Sequence, residues 1–135
     1  MRDINLLKEP MKQLTLKLID ECKKQDITIG ISCTFRGEDE QNQLKKEGKS
    51  NASFGDSFHN YGYAIDIFII KDGKAVWNDD KTYDKIGLIG ESIGLSWSGR
   101  WQGSLREKVH FQYQDKFKTN EEAIKYLKKN KEFKK

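Results

Sequence analysis

The chain contains two histidines, His59 and His110, and each stands near a carboxylate. His59 lies in the run Ser57-Phe-His-Asn-Tyr-Gly-Tyr-Ala-Ile-Asp66, and Glu107 stands three residues ahead of His110. A hydrolytic zinc site takes about three protein ligands of mixed histidine and carboxylate type and leaves one position for water. His59, Asp66 and His110 would make such a set. Zinc lowers the pKa of a bound water from about 15.7 to about 7. A carboxylate that is not a ligand, here Glu107, can then take the water proton and pass it to a leaving amine. Arg36 could neutralise an oxyanion or a substrate carboxylate. Taken singly, each residue also has an ordinary structural reading: a hydrogen-bonded histidine, a surface glutamate, a surface arginine.

The elements that must position these residues are legible as periodicities. Met11, Leu14, Leu18 and Cys22, with Ile19 beside them, form an amphipathic helical stripe, and Pro10 suits its first turn. Ile27, Ile29, Ile31 and Cys33 alternate as a half-buried strand does, and the strand runs into Phe35-Arg36-Gly37. Glu38 to Glu47 is helical material that could turn Gln41 and Leu44 inward, and Lys49 to Asp56 is a loop by composition. Tyr63 to Ile70 reads as a strand with Ala64, Asp66, Phe68 and Ile70 on one face. A buried, unpaired carboxylate is costly, so Asp66 calls for a cation, a hydrogen-bond network or a metal. Lys71-Asp72-Gly73-Lys74 is a hairpin turn into Ala75-Val76-Trp77. A helix face follows over Tyr83, Ile86, Ile89, Gly90 and Ile93, then a short apolar stretch from Leu95 to Trp101. Val109 to Tyr113 alternates as a strand, and Thr119 with Glu122 caps a last helix over about 119–131. The expectation is one α+β domain over residues 1–135.

The pattern Ser57-x-His59-x-x-Gly62-x-Ala64-x-Asp66, followed by Glu107-x-x-His110-Phe111-Gln112, resembles the LAS zinc peptidases. These include D-alanyl-D-alanine carboxypeptidases and dipeptidases and L-alanyl-D-glutamate endopeptidases. Phe35-Arg36 with Gln41 downstream, and Trp97-x-Gly99-x-Trp101, support the likeness. The resemblance implies a hedgehog or DD-peptidase-like domain, with an antiparallel sheet carrying a Zn2+ site between flanking helices. It implies His59, Asp66 and His110 as metal ligands and Glu107 as general base. It makes Arg36 a catalytic arginine, and Ser57 and Gln41 substrate-binding residues. Gly62 and Ala64 are small residues that let loop and strand approach closely.

Two departures bear on the bond cut. The endopeptidase branch usually has aspartate where this chain has Glu107, and Ser98 and Arg100 interrupt a segment that commonly reads Trp-Gly-Gly-Asp-Trp. The wording from Ser57 to Asp66 is nearer to phage endolysin-type L-alanyl-D-glutamate peptidases, so the stem peptide of peptidoglycan is the expected substrate. A D-alanyl-D-alanine carboxypeptidase or dipeptidase is the alternative. A zinc-fold binding protein without turnover is a third possibility.

Composition bounds the rest. At 135 residues with fifteen aromatics the chain can build one core. No apolar run reaches the roughly 18–20 residues of a membrane span. The N-terminus lacks the layout of a secretory signal, so the expectation is cytoplasmic synthesis and release to the wall by a separate, holin-type route. Cys22 and Cys33 form no CxxC pair and read as two buried thiols. From Lys116 to Lys135 eight lysines face three glutamates, a local +5. Such a tail suits a solvated helix face, or anionic cell-wall polymers as partner. Its aromatics read as packing residues, so nucleic acid is not an expected partner, and a monomer is expected.

Overall fold

The computed structural model describes residues 1–101, 107–114 and 117–130. Lys116 and residues 131–135 of the basic tail, with the predicted end of the last helix, lie outside the described residues. Among the described residues there are four α-helices and one five-stranded sheet, the helices being α1 (Met11–Lys23), α2 (Glu38–Lys46), α3 (Asp80–Ser92) and α4 (Asn120–Lys129). Five strands form one antiparallel sheet: β1 (Thr28–Cys33), β2 (Ala64–Lys71), β3 (Lys74–Val76), β4 (Ser96–Trp97) and β5 (His110–Gln112). The strand order is β1-β2-β5-β4, with β3 also paired to β2. The expected α+β domain with an antiparallel sheet and flanking helices is what the chain forms.

Strand β2 is the spine of the sheet. Ile65, Ile67 and Ile69 are buried on its core face, against Met11, Leu18 and Cys22 of α1 and Tyr83 and Ile86 of α3. The intervening Asp66, Phe68 and Ile70 are only partly buried on the other face. Helices α1 and α3 therefore cover one side of the sheet, and Asp66 lies on the other. Helix α1 buries Thr15 rather than Leu14 in its stripe, the Thr15 hydroxyl bonding the Met11 carbonyl at 2.8 Å, and Pro10 sits just before its first residue.

Cys22 is fully buried, but Cys33 is not a core thiol. The β1–β2 register is regular from Thr28↔Ile70 to Ile31↔Ile67, then slips so that Cys33 faces Asp66. A bulge of this kind inserts one residue and re-aims the side chains beyond it. It breaks the alternation that placed Cys33 with Ile27, Ile29 and Ile31, and delivers its thiol to the Asp66 face.

Candidate metal centre

Three elements bring the candidate ligands together. Ser57 caps the short 3-10 turn Phe58–Tyr61, its Oγ accepting from the His59 N–H at 3.2 Å. The turn ends at Gly62, φ +78°, where a Cβ would come 3.1 Å from the Lys8 backbone nitrogen. Glycine is what lets the N-terminal segment pass so close, and Lys8 N–H bonds the Gly62 carbonyl at 3.0 Å. Asp66 comes from β2 and His110 from β5, and the two are paired directly across the sheet.

His59 Nε2 lies 3.2 Å from Asp66 Oδ1 and His110 Nδ1 lies 3.0 Å from the same oxygen. Each imidazole has its other nitrogen committed elsewhere. His59 Nδ1 is 2.7 Å from the Thr34 carbonyl, and His110 Nε2 is 2.8 Å from Gln112 Oε1. Both partners are acceptors, so each histidine donates outward and can direct a lone pair at the position beside Asp66. Two oriented imidazoles and a carboxylate are a donor set suited to zinc, with the outer hydrogen bonds that such ligands use. The residues fit the ion.

Without a cation, His59 and Asp66 set each other's charge. Burial opposes charge on His59, but the Asp66 carboxylate and contact with Cys33 raise its pKa to about 10. Burial likewise opposes charge on Asp66, yet His59 and His110 hold it far below the ordinary carboxylate range. Cys33 Sγ stands 3.6 Å from His59 Nδ1. Against the effect of burial, His59 and Arg36 lower its pKa.

Arg36, Ser57, His59, Asp66, Glu107 and His110 line one cleft of about 430 Å³. Glu107 is exposed at its edge, with a carboxylate oxygen within 4.8 Å of donor atoms of both Asp66 and His110. Arg36 reaches 3.8 Å from Asp66 Oδ2 through one terminal nitrogen and donates to Gln41 Oε1 at 3.1 Å through the other. Gln41 does not line this cleft. It is fully buried, and its amide also serves Ser50 Oγ, the Ala52 carbonyl and Asn60.

Several residues without an assigned role in the sequence reading support the site. Gln112 is buried and anchors His110, while its own amide nitrogen donates to Gln114 Oε1 at 2.9 Å and Asn120 Oδ1 at 2.8 Å. Helix α4, read as a basic tail, thus begins at the site, and Ala123 packs with Phe58 beside His59. The Trp101 ring lies 5.6 Å from that of His110. Ser98 is buried, and its hydroxyl bonds the Glu107 carbonyl and lies 3.2 Å from that of His110. Arg100, the other departure, pairs through two nitrogens with Glu91 on the surface. Of these, only the Trp97–Trp101 segment and the triplet His110-Phe111-Gln112 carried a sequence signal.

Comparison with known proteins agrees with the motif. Residues 50–113 match the family described as D-alanyl-D-alanine carboxypeptidase. The chain is 33% identical over 94 residues to the peptidoglycan L-alanyl-D-glutamate endopeptidase CwlK of Bacillus subtilis. That match covers 56% of this chain and 55% of the relative, so the chain spans about half the length of this curated relative. The fold is similar to the Serratia marcescens L-Ala D-Glu endopeptidase ChiX, with TM-score 0.68 and 20% identity over 82% of each chain. It is also similar to the vancomycin-resistance D,D-pentapeptidase VanY in complex with Zn(II), with TM-score 0.62 and 15% identity over 90% of this chain and 78% of the other. At these identities the structural likeness is one of fold.

Proposed function

We propose, on the premise that the chain belongs to the LAS-type zinc peptidases, that it hydrolyses the L-alanyl-D-glutamate bond of the peptidoglycan stem peptide. The observation that carries this reading is the 33% identity over 94 residues to the L-alanyl-D-glutamate endopeptidase CwlK. His59, Asp66 and His110 would hold the zinc, which when bound supplies Lewis acidity and lowers the pKa of a coordinated water. Glu107, free at the cleft edge, takes a proton from the attacking water and delivers it to the departing amine of D-glutamate. Arg36 offers its guanidinium to the oxygen that gains negative charge as the peptide carbonyl becomes tetrahedral. Ser57 contributes to binding from the cleft wall, and Gln41 acts behind Arg36 as a positioning residue.

A second reading, removal of terminal D-alanine, is favoured by Glu107 and by the description of the matched family. Incubation of a soluble stem pentapeptide with zinc-loaded protein separates the two. New N-terminal glutamate supports the endopeptidase reading, and free D-alanine in its place overturns it. We further propose that the protein acts as a lysin on the cell wall. The exposed lysines of α4 then add attraction to anionic wall polymers, an attraction that rising salt screens.

A further inference from the structure

The sheet face that carries Asp66 continues beyond the cleft and ends in an aromatic shelf. Phe68 is two residues along β2 from Asp66 on the same face, a distance of about 7 Å in an extended strand. Its ring lies down over the neighbouring strand at Gly30, its register partner, where a Cβ would meet Phe68 Cζ at 2.4 Å. Only glycine leaves room for the tip of that ring. On the other side, pairing of Ile69 with Val76 brings Trp77 next to Phe68, the rings 5.4 Å apart and inclined by 32°. Trp77 is 56% exposed, the most exposed large apolar side chain among the described residues. An aromatic pair whose outer member, Trp77, is more than half open to water offers an apolar interaction surface.

We propose that Phe68 and Trp77 form a stacking platform for the muramic sugar of the glycan strand. This inference rests on the endopeptidase reading above. In peptidoglycan the first stem residue, L-alanine, is joined through a lactyl group to the muramic sugar. Cleavage after that alanine puts the sugar one residue, about 3.5 Å of extended chain, plus a three-carbon linker from the reacting bond. Phe68, the inner edge of the shelf, lies at about that range, roughly 7 Å along β2 from Asp66. The apolar C–H face of a pyranose is complementary to the electron-rich face of an aromatic ring. A bond at the far end of the stem would carry the sugar several residues away, beyond the shelf.

The test compares a muramyl-linked stem peptide with the same peptide lacking the sugar, in wild type, Trp77→Ala and Trp77→Phe. The ratio of kcat/KM for the sugar-bearing over the bare peptide should fall about tenfold in W77A, mostly in KM, and be largely kept in W77F, which retains a stacking ring. A ratio unchanged in W77A overturns the proposal. If wild type cuts neither substrate, the peptidase reading falls, and titration of peptide-free glycan strands decides the platform alone. Binding that W77A abolishes supports it. No binding by wild type, or concentration-dependent pairing of two copies that W77A disrupts in place of glycan binding, overturns it.

Discussion

Gln112 holds His110 in place: the imidazole Nε2 lies 2.8 Å from the amide oxygen, and the amide nitrogen is tied to Asn120 of α4. The ring is thereby fixed with Nδ1 towards Asp66. A residue that never meets the ion thus decides which nitrogen is offered to it.

Removal of that anchor should weaken the metal site without dismantling the fold. Gln112→Leu is expected to lower zinc affinity by about 10–100-fold, while Gln112→Glu, which keeps an acceptor oxygen, loses far less. Zinc titration by calorimetry checks this. Equal affinities in wild type and Gln112→Leu would remove Gln112 as an orienting residue.

The role proposed for Glu107 is proton transfer and not ligation. Glu107→Gln should bind zinc with wild-type stoichiometry and melt normally, yet lose about 10²–10⁴-fold in kcat. Wild-type turnover in this variant would dismiss Glu107 as the base, and loss of zinc would make it a ligand.

Ser98 ties together the backbone on which Glu107 and His110 sit. Its replacement by alanine costs one buried hydrogen bond, about 1 kcal/mol. Because the Glu107 segment loosens, kcat should fall several-fold with zinc affinity nearly unchanged. Equal kcat in Ser98→Ala would reduce Ser98 to a packing residue.

Zinc and protons compete for His59, whose pKa of about 10 in the cation-free protein leaves it charged at neutral pH. Zinc uptake at pH 7 should therefore release about one proton per ion, with affinity rising as pH rises. Stability of chelator-treated protein follows the same shifts. The His59 contribution is full below its ordinary 6.5 and is lost as pH rises through about 10. The Asp66 contribution, from a lowered pKa, is present above its ordinary 3.8 and is lost as pH falls. Melting temperature against pH, and proton release measured with an indicator, test both signs.

Much of the site is legible in the sequence. Asp66 was conspicuous because an acid in an apolar strand needs a partner, and alternation correctly grouped it with Phe68. Cys33 was misplaced because a bulge leaves no mark on a two-residue period. Gln112 carried a motif match but no role, since a buried glutamine in a strand declares nothing about which ring it will anchor. The charge of the tail conceals that Asn120 and Ile124 at the start of α4 line the cleft. Tertiary pairing, not local sequence, sets those contacts.

Digestion of purified peptidoglycan with and without a chelator, with mass analysis of the fragments, tests the central claim most directly. The expected result is cleavage that stops on chelation, returns with added zinc, and exposes N-terminal D-glutamate. Cleavage indifferent to the chelator, or zinc-dependent release of D-alanine with the L-alanyl-D-glutamate bond intact, would contradict it.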